Sequence, residues 1–442
     1  PPCAVGTARP SDLELKLADV LKGQIERGTQ LGGAICVYHK GRQVAHVVGG
    51  VYRTCDSFSA FKPVNSTTLF FVNSVSKGIS AAAFMTFLDE RGKRKIYDSL
   101  VGEHWPEFSQ NGKQNVTVEQ LLSHRAGLAQ VGLLPSDILQ LVKHLYLYPS
   151  NHLPLFTAMT SKLESAAPEH EPGTSAAYHA LSNSFIMGGL IDRLTASKSP
   201  ASINDFIHSR LCDRLKLPHS SVHLGRIPDY VIPNLAATEP PPNHLNLRRS
   251  RGAAAEARAT SPDGSLSRWF ATHIIGPIEA FVVSEFIILQ CWRSQCLPGN
   301  NGAVTAGTLG KIFGALANYG EAGSHRFVSS SAVKEVAKRV KGEKNEVKIP
   351  FNHPDGEYAN LRARRSCGFF PWTSPELHGD QYNNMILSSE GMGGGFAMAD
   401  PTNKLAIVYT KSVYEPLSVL GGSISVDSCE VAKCVRDHLG IK

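Results

Sequence analysis

The stretch that most constrains this chain is Phe71-Val72-Asn73-Ser74-Val75-Ser76-Lys77-Gly78, because it sets a lysine at the head of a run that must be buried. Over 79–88 the apolar residues Ile79, Ala82, Ala83 and Phe87 recur at helical spacing, and Gly92 supplies a stop. Asn73 or Ser74 fits the N-cap, which puts Ser74 in the first turn of a buried helix. Lys77, three residues on, shares its face. A serine hydroxyl is a weak nucleophile until a neighbour takes its proton. An ammonium sunk among apolar groups is disfavoured, so the lysine pKa should fall toward neutrality and free the amine to act as a base. The helix N-terminus adds a positive field and amide donors where an oxyanion would form. One turn of helix thus holds the parts of an acylating site. The same spacing recurs at Ser331-Ala332-Val333-Lys334, but there it opens a polar helix rich in Lys and Arg, which reads as a solvated face.

At 442 residues the chain exceeds one ordinary core, and a large two-lobed unit or two domains is expected. Its 42% hydrophobic and 19% charged residues are typical of a globular protein. No run reaches membrane-spanning length; the most apolar one, 274–289, is broken by Gly276-Pro277, Glu279 and Glu285. No signal-peptide pattern is visible in the first residues. The net charge of +7 has one local cluster, Arg248, Arg249 and Arg251, without the interleaved aromatics or motif of a nucleic-acid reader. A nucleic-acid partner is therefore not expected. The nine cysteines are scattered, with no C-x-x-C and no Cys/His ligand spacing. They read as reduced thiols, which favours a reducing compartment (cytoplasm or organelle matrix), excludes a zinc site and leaves the sequons at Asn65 and Asn115 unused. No metal or organic cofactor is implied, and oligomeric state is not legible.

Taken in order, the periodicity gives a helix over 11–27 with a Ser-x-x-Glu-like start, then strands 33–39 and 43–51 joined at Lys40-Gly41. The helix carrying Ser74 begins a long helical region. Val116–Leu122 reads as a helix start leading to His124, which we read as a scaffold histidine in a glycine turn. A helix follows over 137–147. The turn Glu171-Pro172-Gly173-Thr174 presents Tyr178-His179-Ala180 ahead of a buried helix, 184–194, whose Gly188-Gly189 permits close packing. Residues 240–242 and 248–267 look like loop, and 341–348 is charged and loop-like. A helix over 306–316 precedes a strand around 384–387, the run Ser389-Glu390-Gly391-Met392-Gly393-Gly394-Gly395, a strand pair (395–399 and 404–410) and a closing helix over 426–439. Strands at both ends with helices between them predict a sheet built from the two termini and an inserted helical domain.

These segments, in this order, resemble the serine β-lactamase-like superfamily, most closely the class C β-lactamases and the family VIII carboxylesterases. The resemblance rests on the Phe71–Gly78 stretch, His104-Trp105-Pro106-Glu107-Phe108 with Asn111-Gly112-Lys113, and Leu121-Leu122-Ser123-His124-Arg125-Ala126-Gly127-Leu128. It continues through Glu171-Pro172-Gly173-Thr174 with Tyr178-His179-Ala180, Pro298-Gly299-Asn300-Asn301-Gly302, and Gly391-Met392-Gly393-Gly394 with Ala399-Asp400-Pro401. It implies an α+β fold of the β-lactamase/transpeptidase type, an antiparallel sheet from both termini flanked by helices. The whole chain, 1–442, would be one catalytic unit: 11–65 and 305–442 form the sheet lobe, 66–304 the helical lobe, and 240–289 a loop-rich insertion.

The same resemblance implies that Ser74 is the acylated nucleophile, that Lys77 shares its proton, and that Tyr178 is the general base working with the lysine. A tyrosine held near an ammonium approaches the phenolate below its usual pKa of about 10. The oxyanion would be held by the backbone N–H groups of Ser74 and Met392, with His179, Ser389, Glu390 and Gly391 lining the substrate. A phosphate-loop reading of the glycine run fails, because Phe396 stands where the last glycine is needed.

Departures from the family bear on the substrate. Where β-lactamases have Tyr-x-Asn, this chain has Ala180 in the third place. Where they have Lys-Thr-Gly, it has Ser389, Glu390 and Gly391, and many family VIII esterases carry His-x-Gly there. A negative charge at the cleft mouth would repel carboxylates, so efficient β-lactam turnover is not expected and Glu390 should bias the site toward neutral or cationic substrates. The expectation is a serine hydrolase acting on small ester or amide substrates, foremost a carboxylesterase for short or medium acyl esters. The alternatives are a penicillin-binding-protein-like peptidase or weak β-lactamase, and a scaffold or binding protein that lost turnover. An α/β-hydrolase is excluded, since no G-x-S-x-G occurs.

Overall fold

The computed structural model describes residues 4–5, 9–55, 60–132, 135–147, 151, 153–174, 176–195, 203–239, 295–339, 362–363, 367–369, 372–373, 385–391, 393–413 and 425–441. The expected insertion at 240–289, the charged stretch at 341–348 and Met392 lie outside the described residues. The elements that position the site begin with β1 (Ala4–Val5), α1 (Asp12–Glu26), β2 (Gly32–His39), β3 (Arg42–Arg53), β4 (Phe61–Pro63), β5 (Leu69–Asn73) and α2 (Val75–Glu90). A helical stretch follows: α3 (Val118–Leu122), α4 (Pro135–Leu147), α5 (Leu153–Ser165), α6 (Ser182–Thr195) and α7 (Ile203–Ile207). Then come β6 (Val222–His223), β7 (Leu235–Ala236), β8 (Gly302–Val304), α8 (Ala306–Ala317) and α9 (Ser330–Lys338). The chain closes with β9 (Leu387–Glu390), β10 (Phe396–Asp400), β11 (Leu405–Lys411) and α10 (Val426–Leu439).

The main sheet runs β1-β3-β2-β11-β10-β9, with β4 added to β3, and every pairing is antiparallel. It joins the two ends of the chain, as expected: Tyr409 of β11 pairs Ile35 of β2. Both faces are buried, and the period-two alternation of strands sorts the side chains between them. Ile35, Val37, Phe396, Met398, Leu405, Ile407 and Tyr409 face α1 and α10 through Leu13, Leu17, Leu21, Val431 and Val435. Ala34, Cys36, Ala397, Ala399, Ala406 and Val408 face the larger core with α8 and α2. Small residues on that face let α8 lie close; a Cβ on Gly310 would stand 2.5 Å from the Cys36 sulfur.

Local signals explain the helix ends. Ser11 and Glu14 form a capping box at α1, and Thr117 and Gln120 form another at α3. The glycine pair of α6 packs as the sequence suggests, Gly188 against the Phe156 ring and Gly189 against Trp105. Trp105 donates its indole N–H to Glu164 at 2.7 Å, and the buried Lys113 donates to the Glu164 carbonyl at 3.0 Å, so these motif residues brace the helical region. The Ser331-x-x-Lys334 repeat falls on α9 with both side chains exposed. One strand departs from expectation. The C-terminal edge strand is not centred on 384–387 but runs through Ser388, Ser389 and Glu390. Those polar residues have weak strand propensity, and pairing to Met398, Ala397 and Phe396 overrides it.

Among the described residues no helix is long and apolar enough to cross a membrane. Burial pushes the thiols of Cys36 and Cys212 up to about 12, which makes them packing groups.

Candidate active site

A strand-to-helix turn aims Ser74. β5 ends at Asn73, whose left-handed φ of 45° turns the chain sharply into α2. Asparagine tolerates that conformation better than most residues. Ser74 occupies the N-cap position of α2 but makes no side-chain capping bond, so its hydroxyl is left for other chemistry. From Val75 to Leu88 every residue of α2 is buried, so this helix is a core rod and not an amphipathic surface helix.

Lys77 sits one turn along that rod and is 1% exposed. Its Nζ lies 3.0 Å from Ser74 Oγ, 3.1 Å from the Ala180 carbonyl oxygen and 2.9 Å from the Gly299 carbonyl oxygen. Burial lowers its pKa from 10.5 to about 7. As an ammonium it has three hydrogens for three acceptors. As a neutral amine it has two, which the two carbonyls take, and its lone pair is left facing the Ser74 hydroxyl. The two carbonyls therefore orient the amine.

The ring of Tyr178 packs beside this amine, with Nζ 5.1 Å from the ring centre. The sequence motifs thus bring Ser74, Lys77 and Tyr178 into one cluster. Ser389 joins them from β9: its hydroxyl donates to the Ser74 carbonyl oxygen at 2.9 Å and its Cβ meets Gly78 of α2. Gly391 follows β9 where a Cβ would stand 2.3 Å from the Val72 carbonyl oxygen, so only glycine lets the end of the edge strand approach β5 this closely. The Gly391 N–H is bonded to the Gly395 carbonyl at 2.8 Å. Met392, the expected second oxyanion donor, lies outside the described residues.

Two expected site residues are placed differently. His179 is fully buried; one ring nitrogen donates to the Ala177 carbonyl at 2.6 Å and the other accepts from Leu128 N–H at 3.3 Å. Both nitrogens are thus committed to backbone, and the ring holds the loop in place of substrate. Glu390 follows Ser389 on a strand, so its side chain leaves the opposite face. Its cross-strand neighbour there, Phe396, belongs to the core with α1 and α10. Ser389, not Glu390, is the residue that meets Ser74.

Other residues of the site carry no chemical signature in the sequence. The Asn300 amide donates to the same Ala180 oxygen at 3.0 Å, and its carbonyl accepts from Ser184 at 2.7 Å. Ser184 in turn accepts from Gly299 N–H at 3.0 Å. This relay ties α6, the Pro298–Gly302 turn and the Tyr178–Ala180 loop around the amine. The turn-forming run Pro298-Gly299-Asn300-Asn301-Gly302 was the one available clue.

An antiparallel sheet between helices, with Ser-x-x-Lys at the head of a buried helix, is the frame of serine β-lactamase-like hydrolases. The family described as Beta-lactamase matches residues 17–418, and the chain belongs to that family. A protein named esterase/beta-lactamase LipL from Mycobacterium tuberculosis is 27% identical over 417 residues, 89% of this chain and 87% of that protein. Among solved structures, a family VIII carboxylesterase matches with a TM-score of 0.70 at 23% identity, covering 98% of this chain and 99% of its own. A penicillin-binding protein homologue from Caulobacter crescentus matches with a TM-score of 0.70 at 22% identity, again covering 98% and 99%. Both bear out the expected β-lactamase/transpeptidase fold.

Proposed function

We propose that this protein is a carboxylesterase for short or medium acyl esters, working through an acyl-enzyme on Ser74. The observation that carries the reading is the Ser74–Lys77 contact of 3.0 Å to an amine whose pKa burial lowers to about 7. In this scheme neutral Lys77 takes the Ser74 proton as Oγ bonds the ester carbonyl carbon, and the carbonyl oxygen becomes an oxyanion. The Ser74 N–H at the head of α2 stabilises that charge; such donors are typically worth ~10²–10³ in rate. The intermediate collapses by breaking the C–O bond to the alcohol, and Tyr178 relays a proton from the amine to the departing alkoxide. Water, deprotonated by the same pair, then attacks the acyl carbon and returns Ser74 to its hydroxyl form, releasing the acid.

The esterase choice within this family draws support from the names of the relatives and from Ser389. That side chain meets the nucleophile where β-lactamases carry a carboxylate-attracting lysine, and it has no charge to offer an anionic substrate. We read residues 11–65 and 305–442 as the sheet lobe and 66–304 as the helical lobe, with the cluster at their junction. The test is burst kinetics with p-nitrophenyl acetate and butyrate, with mass spectrometry for the adduct. Turnover with a transient adduct on Ser74, both lost in Ser74→Ala, is the expected result. A stable adduct with a fluorescent penicillin and no ester turnover would favour a penicillin-binding-like peptidase. Turnover that survives Ser74→Ala would refute the scheme.

A further inference from the structure

We infer that His124 is a positioning residue for Tyr178, fixing the phenol against the Ser74–Lys77 pair from both sides of its backbone. The inference rests on reading Tyr178 as the proton relay. His124 is fully buried just beyond α3, in the left-handed conformation at φ 63°. From there it contacts the segment that carries Tyr178, its ring also lying 5.2 Å from that of His179. Its carbonyl oxygen accepts from Ala177 N–H at 2.9 Å. Its ring Nδ1 accepts from His179 N–H at 3.0 Å. Its ring lies against the Tyr178 ring, with centres 5.2 Å apart and planes tilted by 49°.

The residues before and after Tyr178 are thus both tied to one residue, which also packs on the tyrosine itself. A ring nitrogen that accepts a hydrogen bond carries no proton, so the His124 proton sits on Nε2. His179 closes the loop on itself through the Ala177 carbonyl and anchors it to Leu128 N–H. The backbone of 177–179 cannot rotate without breaking these buried bonds, and the Tyr178 ring keeps its place 5.1 Å from Lys77 Nζ.

The test compares His124→Asn with His124→Gly. Both residues tolerate positive φ, so backbone strain is matched. Asparagine keeps an acceptor close to the place of Nδ1, and glycine has none. With p-nitrophenyl butyrate, His124→Gly should lower kcat about 10²-fold with little change in KM, as expected when a reacting group is displaced by about 1 Å. His124→Asn should recover at least about tenfold of that loss. On a Tyr178→Phe background, His124→Gly should cost less than about threefold, because the partner it positions is already gone. Circular dichroism and urea midpoints check folding; if the glycine variant does not fold, His124→Asn decides alone, since a kcat loss of more than about tenfold despite the retained acceptor overturns the inference. Equal losses in the glycine and asparagine variants overturn the inference, as does an undiminished loss on the Tyr178→Phe background. If Tyr178→Phe alone keeps the wild-type kcat, the relay reading fails and the inference falls with it, a result readable separately from the His124 series.

Discussion

Replacing Lys77 by methionine removes an ionisable amine from the middle of the core and keeps an unbranched side chain of similar length. Burial lowers the lysine pKa from 10.5 to about 7, so between those values the unfolded chain holds a proton that the folded chain has released. Unfolding therefore takes up a proton in that window, and the native state gains stability as pH rises through it. With these two pKa values Lys77 destabilises the fold by roughly 4 kcal/mol at pH 7 and about 2 kcal/mol at pH 9. Methionine has no such titration, although it leaves the Ala180 and Gly299 carbonyls without the amine as donor. That loss does not depend on pH. The stability of wild type relative to Lys77→Met should thus improve by about 2 kcal/mol between pH 7 and pH 9. Urea titrations of both proteins at the two pH values measure it through midpoint and slope. A difference independent of pH would mean that Lys77 keeps an ordinary lysine pKa, and the base assigned to Ser74 would be lost. The kinetic counterpart is kcat/KM rising about tenfold per pH unit below pH 7 and levelling off above it.

Three further changes probe the surroundings of the pair. Asn300→Asp puts a carboxylate no more than about 6 Å from the amine, since both side chains reach the same Ala180 oxygen. It should move the acid limb of the pH–rate profile upward by about one unit, and an unmoved limb would show that another group titrates there. Gly391→Ala sets a Cβ against the Val72 carbonyl oxygen and should push the edge strand from the cleft, lowering kcat by about 10²-fold. Wild-type kinetics in that variant would show that β9 does not need this approach. Glu390→Gln should change the preference for a neutral ester over its carboxylate-bearing analogue by less than about twofold, because strand alternation turns Glu390 from Ser74. A large change would mean that the side chain returns to the cleft.

Much of this arrangement was legible before folding because its signals are short-range. A Ser-x-x-Glu start marks α1, a glycine turn joins β2 to β3, and a serine and lysine one helical turn apart mark the candidate pair. Each depends on residues within a few positions of one another. The edge strand was harder to place, since Ser388, Ser389 and Glu390 become a strand only through pairing with β10. His179 was misread for a related reason. The family resemblance gives His179 a substrate contact, yet backbone partners at Ala177 and Leu128 take both of its nitrogens.

The amino-acid sequence by itself determined that a serine hydroxyl and an amine share one face at the head of a buried helix, and that burial weakens the ammonium. Helical geometry and the cost of dehydrating charge suffice for that. Only the tertiary structure decided which way the amine points, which residues hold Tyr178 beside it, and which side of the edge strand meets Ser74. The acceptor at Gly299 is a backbone oxygen 222 residues away, and every residue carries such an oxygen. Its role comes from where the fold puts it, and no residue letter records that.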